Sequence, residues 1–371
     1  MEASSRRQSL FWIITLGAGL AGAVAIAELA LRIAQPEQVG CYLFPCIYWS
    51  DTEWGYRYRP NAVGRKYEQF EMDNEVHINS QGFHDRERVA GAEAGALRVA
   101  AIGDSFTAAI HVPIEETWTQ VAERLLSREL LRRVQVYNLG LDGTGTPVHL
   151  SVLERMLPAL RPDVVVLAFF ANDFEEAAFG RVYRECYQGY VINYQNEEQR
   201  DRLRAIVASQ APSPRARAWF ERSYLSRLFP SLYGYVTFAL LRENYLSPSR
   251  FGVPVDAQSG TDDVAALFES FLRLSEEWGF AFVVVPVPMK QDPQGSLALL
   301  RDGLPEPLRA RLDVVDVSGA IRAELTREGL GWSDLYWKRD AHFDVDGNRI
   351  FGQAVAAALA GRIQQRPARV P

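Results

Sequence analysis

Residues Val164 to Phe170 (VVVLAFF) are apolar at every position, so a strand built from them has no face to offer water. Such a strand must be covered on both sides, the condition of a central strand in a parallel sheet packed between helices. Leu97 to Gly103 (LRVAAIG) and Phe280 to Val285 are further buried runs, and Val134 to Tyr137 and Val314 to Val317 are shorter ones. Between them, apolar residues recur at helical spacing: Trp118, Val121, Ala122, Leu125 and Leu126, then about Val148 to Leu160, Asp262 to Trp278, and Asp346 to Ile363. Strands alternating with helices imply right-handed crossovers. The expected fold is therefore α/β, a three-layer sandwich around a central parallel sheet.

The N-terminus departs from this pattern. After Arg6 and Arg7, residues Leu10 to Ala27 carry no charge and then meet Glu28 and Arg32. As a helix this run is long enough for a hydrocarbon core of roughly 30 Å and reads as a membrane span. The twin arginines predict that residues 1–9 stay in the cytoplasm and that the remainder lies on the extracytoplasmic side. A cleaved signal peptide is the rival reading, with small-residue cleavage sites between Ala21 and Ala27. Elsewhere the chain has a globular composition. With 48% hydrophobic residues, 23% charged residues and a formal charge of -6, it lacks a polyanion-binding surface, which argues against a nucleic-acid partner.

The expected organisation is a cytoplasmic N-terminus (1–9), a transmembrane signal anchor (10–33), a loop-rich juxtamembrane segment with one or two strands (34–90), and an α/β domain (91–371). A mainly helical insertion at about 174–260 interrupts that domain, with Pro212 and Pro214 marking a loop and Tyr224 to Leu241 reading as one apolar helix. The insertion covers the site, contacts a partner or lies against the membrane. Of three cysteines, Cys41 and Cys46 flank Pro45 in a tight loop that a disulfide would close, leaving Cys186 unpaired; three unpaired thiols are the alternative.

Four separate pieces end at one edge of the expected sheet: Gly103-Asp104-Ser105, the glycine-rich loop at Gly143, Asn172-Asp173, and Asp340-Ala341-His342. Each has a structural explanation on its own. Ser105 caps a helix, Gly143 and Asn172 make turns, and His342 bonds locally. Together they supply what acyl transfer needs: a nucleophile, a base, an acid to orient the base, and donors for an oxyanion. This chemistry requires neither metal nor cofactor, and the five histidines show no metal-ligand spacing. His77 and His84 read as structural.

In these four blocks the sequence resembles the SGNH hydrolase superfamily, the GDSL-like esterases and acyltransferases. Gly103-Asp104-Ser105-Phe106 matches the first block, Asn138 with Gly143 the second, Asn172-Asp173 the third, and Asp340 with His342 the last. The resemblance runs from Leu97 to about Ile363 outside the insertion, and Asn79 to Asp85 looks like a segment that precedes this domain in membrane-anchored bacterial members. Many members space the last block Asp-x-x-His. Here position 339 is Arg and the spacing is Asp-x-His, as in some members that acetylate exopolysaccharides, so Asp334 and Asp344 are rivals to Asp340.

The resemblance implies a flavodoxin-like fold with Ser105 as nucleophile, His342 as base and Asp340 as orienting acid. The oxyanion would be held by the N–H groups of Ser105 and Gly143 and the side-chain amide of Asn172. It further implies an extracytoplasmic esterase or O-acyltransferase whose substrate is an acylated carbohydrate of the cell envelope. A lipid esterase and a noncatalytic glycan-binding or scaffold protein of an envelope assembly complex are the alternatives.

Overall fold

The computed structural model describes residues 2–34, 41–68, 71–88, 95–173, 182–228, 232–254 and 264–364. The chain opens with a helix, Glu2–Ala34. Within it Leu10–Ala34 is long and apolar enough to cross a membrane, its most apolar window having a mean hydropathy of 2.1 and no burial against the protein.

Five strands follow, where a loop-rich segment with one or two strands was expected. They are β1 (Cys41–Phe44), β2 (Tyr48–Asp51), β3 (Gly55–Tyr58), β4 (Val63–Glu68) and β5 (Met72–His77). β1, β4 and β5 form an antiparallel sheet with β4 central, and β2 and β3 form a hairpin. The inward positions of β4 are Gly64, Lys66 and Glu68, so this strand carries no hydrophobic alternation to read. On β5 the inward Asn74 donates to the carbonyls of Ile110 (2.9 Å) and Val112 (2.8 Å), fixing the sheet to the chain that follows Ser105.

The central sheet comprises β6 (Leu97–Gly103), β7 (Val134–Asn138) and β8 (Val164–Phe169). After the insertion strands β9 (Tyr183–Tyr187), β10 (Tyr190–Tyr194) and β11 (Tyr245–Leu246) come its last two members, β12 (Ala281–Pro286) and β13 (Asp313–Val314). All five are parallel, in the order β13-β12-β8-β6-β7. Successive residues of β8 face opposite cores. Val165, Leu167 and Phe169 join helices Thr146–Leu160 and Val264–Trp278, whereas Val164, Val166 and Ala168 join helices Trp118–Glu129, Ser318–Glu328 and Val345–Gln364. This is the expected three-layer sandwich. The strand order reverses between β6 and β8, and at such a reversal the loops beyond the strands' C-terminal ends part to leave a crevice.

Among the described residues the insertion is mainly helical, as expected, with a small sheet added. β9 and β10 form a hairpin extended by β11, packed with helices Glu197–Gln210, Pro214–Arg222 and Tyr235–Arg242. The single helix expected from Tyr224 to Leu241 is instead a short 3-10 turn, Leu225–Leu228, and the separate helix Tyr235–Arg242. Gly234, at φ 71°, begins the second piece in a backbone conformation that ends helical continuity. The boundaries expected at 90/91, 174, 260 and Asp262 lie outside the described residues.

The disulfide joins Cys46 to Cys186, with a Cα–Cα distance of 5.8 Å, and not Cys41 to Cys46. Cys41 begins β1, and a strand of that length carries it about 10 Å from the turn that holds Cys46, beyond disulfide reach. The bond ties the N-terminal strands to β9 across 140 residues of chain. A cross-link over so long a loop contributes about 2–5 kcal/mol by restricting the unfolded chain. Replacing both Cys46 and Cys186 by Ser should lower the unfolding free energy by that amount in denaturant titrations, and an unchanged midpoint would show that noncovalent contacts alone hold the two segments together.

Candidate active site

β6 delivers its last residues to the crevice through Gly103, whose φ is 155°. A Cβ there would lie 2.4 Å from Thr107 Oγ1 and 2.8 Å from the Ala168 carbonyl, so only glycine allows the strand to turn this tightly against β8. Asp104 then caps the helix Ser105–Ala108 by accepting from Phe106 N at 2.9 Å. Ser105 is the first helical residue, and its N–H therefore has no intrahelical acceptor.

The hydroxyl of Ser105 meets His342 Nε2 at 2.7 Å. On the other side of the ring, Nδ1–H donates to Asp340 Oδ1 at 2.5 Å, and the His342 backbone N–H donates to the same oxygen at 2.7 Å. Burial alone would raise the Asp340 pKa, but the adjacent His342 charge and hydrogen bond, helped by Lys66, hold it well below the usual carboxylate range. An ionised Asp340 can only accept, which leaves His342 Nε2 to accept from the serine. The rival acids are engaged elsewhere: Asp334 accepts from Gly331 N and Asp344 from Gly347 N, both at 2.8 Å.

The His342 ring packs against two others. His111 stacks on it with centroids 4.0 Å apart and planes 15° apart, and Phe106 lies 5.1 Å away. Burial pushes the His111 pKa well below its ordinary value, so this ring is neutral. His111, Asp340 and His342 each offer a ligand atom within 4.8 Å of the others. Both His342 nitrogens are already occupied by Ser105 and Asp340, so a cation could bind here only by breaking that chain. A lone histidine six residues after the serine carries no spacing signal, and sequence reasoning did not single out His111.

Gly143 and Asn172 follow β7 and β8, the two strands that flank β6. Leu139 N and Leu141 N donate to the carbonyls of Ala101 (2.8 Å) and Gly103 (3.1 Å), so the loop leading to Gly143 runs along the end of β6. Asn138 shapes that loop by accepting from Gly140 N at 3.0 Å. The loop also presses on the serine helix, because a Cβ on Gly140 would lie 2.1 Å from Ala108 N.

Beside Gly143, the buried carboxylate of Asp142 accepts from Tyr48 (2.7 Å), Tyr58 (2.5 Å) and Arg184 (3.0 Å). The Tyr56 hydroxyl lies 2.5 Å and 2.6 Å from the carbonyls of Asp142 and Gly143. Burial would raise the Asp142 pKa, yet Arg184 and the two tyrosines bring it below the ordinary value. His84, left out of the site, is buried with Nδ1 bonded to the Ala108 carbonyl (2.8 Å), and His77 pairs at the surface with Glu75.

The segment from Trp337 to Asp340 is held from outside. Lys290, beyond β12, donates from Nζ to the carbonyls of Trp337 (2.5 Å), Lys338 (2.8 Å) and Asp340 (3.1 Å). The Glu71 carboxylate accepts from Arg339 N at 2.9 and 3.0 Å. Neither residue carries a local sequence signal, because each acts across a distance in sequence.

A sequence model of the GDSL-like lipase/acylhydrolase family matches residues 101–350. The chain belongs to this family and is an ester-hydrolysing enzyme. Similar solved structures include the lipase/acylhydrolase from Enterococcus faecalis, 16% identical, with 72% of this chain and 96% of that chain covered at a TM-score of 0.36. A member of the lipolytic protein G-D-S-L family from Veillonella parvula is 11% identical, covering 70% and 97% at 0.33. A two-domain esterase active on acetylated mannans is 11% identical, covering 74% and 52% at 0.35. No curated protein matches the chain by sequence.

The Lys290 contacts make a specific expectation. Lys290→Met removes three donors from the loop that carries Asp340 and His342, and a displacement of about 1 Å there costs on the order of 10²-fold in rate. Steady-state kinetics on a small ester should show that fall in kcat with little change in KM. An unchanged kcat would mean that the loop keeps its geometry without the ammonium.

Proposed function

We propose that the protein is a membrane-anchored serine esterase or O-acyltransferase whose domain, residues 91–371, faces the extracytoplasmic side and acts on acylated carbohydrate of the cell envelope. In this reading residues 1–9 are cytoplasmic, 10–33 are the anchor and 34–90 connect it to the domain. The observation that carries the chemistry is the continuous hydrogen-bond chain from Ser105 through His342 to Asp340.

Ser105 Oγ attacks the ester carbonyl carbon while its proton passes to His342 Nε2, and Asp340 stabilises the resulting imidazolium. The carbonyl oxygen becomes an oxyanion held by the N–H groups of Ser105 and Gly143 and the Asn172 side-chain amide. As the intermediate collapses, the carbonyl–oxygen bond to the alcohol breaks, and His342 returns the proton to the leaving oxygen. Water or a sugar hydroxyl then attacks the acyl-enzyme, again losing its proton to His342; the bond from the acyl carbon to Ser105 Oγ breaks, and His342 returns that proton to the serine. Hydrolysis and transfer differ only in that acceptor. The placement outside the cytoplasm rests on Arg6 and Arg7 ahead of the apolar helix, and the carbohydrate substrate rests on the superfamily resemblance.

A fluorophosphonate probe should label the wild type and fail to label Ser105→Ala; labelling that survives moves the nucleophile elsewhere. Asn172→Ala should slow ester turnover on the order of 10²–10³-fold, the usual loss for one oxyanion donor. Comparing envelope glycans from wild-type and Ser105→Ala cells decides the direction. More acetyl groups in the variant indicate hydrolysis and fewer indicate transfer. Unchanged glycans with intact turnover of small esters would replace carbohydrate by another ester, such as a lipid.

A further inference from the structure

Away from the site, the N-terminal helix is latched to the insertion by its only charged residues beyond Arg7. Glu28 accepts from Tyr224 N (2.9 Å), Leu225 N (3.0 Å) and Ser223 Oγ (3.1 Å), which caps the 3-10 turn Leu225–Leu228. One turn later Arg32 donates to the Arg222 carbonyl at 2.5 Å and pairs back to Glu28 at 3.1 Å. Glu28 and Arg32 are thus committed to protein groups at the point where the uncharged run ends.

That position sets a depth. Leu10 lies 18 residues before Glu28, about 27 Å along a helix, close to the roughly 30 Å of a hydrocarbon core. If Glu28 stands at one edge of that core, residues on the same helix face at Ala21, Val24 and Ala25 lie about 5–10 Å inside it. These three residues line a cleft of ≈ 440 Å³ together with Trp219 and Leu225 of the insertion. The insertion therefore descends beside the helix to a level below the latch.

The descending part has the chemistry of an interfacial element. In helix Pro214–Arg222, Phe220 is fully buried against Tyr233 and Phe238, while its neighbour Trp219 is 53% exposed. Trp219 also lies 6.3 Å from Tyr233, whose chain neighbours Leu232 and Tyr235 are 72% and 76% exposed. Arg215, Arg217 and Arg222 occupy the same short helix. Aromatic rings with nearby arginines are the residues that settle at a lipid headgroup boundary.

We propose that Trp219, Leu232 and Tyr235 form a membrane-embedded face, seated in the headgroup and upper acyl region of the leaflet from which the N-terminal helix emerges. The domain is then held on the bilayer at two points, in one orientation. This inference rests on the reading of the helix as a membrane span, and the experiment separates the two.

Full-length protein with Cys41→Ser, keeping the Cys46–Cys186 bond, is reconstituted in vesicles of phosphatidylcholine and phosphatidylglycerol. Single spin labels are placed by Val24→Cys, Trp219→Cys, Leu232→Cys, or Leu131→Cys, the last at a residue 92% exposed on the α/β domain. Power saturation then compares collisions with oxygen, which concentrates in lipid, and with a water-soluble nickel chelate. The expected result is an oxygen-dominated depth parameter at 24, 219 and 232, and a parameter of opposite sign at 131. Lipid exposure at 24 with aqueous values at 219 and 232 would overturn the embedded face and leave the span intact. Shielding of 219 and 232 from both reagents would mean that protein covers them, which also overturns it. An aqueous value at 24 would remove the span itself, and the proposal with it.

Discussion

The carboxylate of Asp142 is the interaction on which the arrangement of the molecule depends. It is buried, and a buried charge is tolerable only when its lone pairs are satisfied. Its partners come from two distant parts of the chain: Tyr48 and Tyr58 from β2 and β3, and Arg184 from β9 of the insertion. The guanidinium of Arg184 stacks over Tyr56 and Tyr48 at 4.1 and 4.5 Å, which orients the donors as well as adding attraction. Removing any one partner would leave a buried charge short of a donor. The N-terminal strands and the insertion are therefore fixed to the α/β core at the residue before Gly143, and the Cys46–Cys186 bond joins the same two segments covalently.

The same segments also reach the other half of the site. β4 and β5 contribute Glu71 at their turn to the Arg339 amide, and Asn74 to the carbonyls that follow the serine helix. Loops beyond strand ends have few backbone partners of their own and are free to move unless something else binds them. Here Lys290 and Glu71 bind the loop of Asp340 and His342, while Tyr56 and Arg184 bind the loop of Gly143. The segment between the apolar helix and the α/β domain is thus part of the site's scaffold as well as a connector.

This explains what could and could not be read from the sequence. The central strands were legible because Val164–Phe169 and Leu97–Gly103 are apolar on both faces, and the edge they end on follows from parallel topology. That Ser105, Asp340 and His342 come together was legible because each lies in a short block at the same sheet edge, and Asp340 meets His342 across only two positions. β4 was hidden because it buries Gly64, Lys66 and Glu68, residues whose inward place is set by partners far away in the chain. Lys290, Glu71, His111 and the Cys186 pairing share that cause: each acts over a long sequence separation, where composition and periodicity carry no record of the partner. The Tyr224–Leu241 run misled for the opposite reason. Its apolar residues are real, but they serve a capped turn and a second helix that face different neighbours.

The charges around Ser105 are arranged unequally, and the inequality favours the proposed proton transfer. Asp340 is held ionised by its contact with His342, whereas Asp104, one residue before the serine, has its pKa raised by burial to about 6, opposed in part by the Phe106 N–H. Burial thus makes a charge on Asp104, beside the serine, less favourable than it is in water, while contact with His342 favours one on Asp340, on the far side of the imidazole. His111 completes the asymmetry. Stacked on His342 as a charged ring, it would oppose the imidazolium at a centroid distance of 4.0 Å; kept neutral by burial, it shields that ring from water without repelling the arriving proton. Environments that push neighbouring titratable groups apart assign them different roles. In the proposed mechanism Asp340 is the carboxylate placed to stabilise positive charge on His342, whose Nε2 already meets the serine hydroxyl.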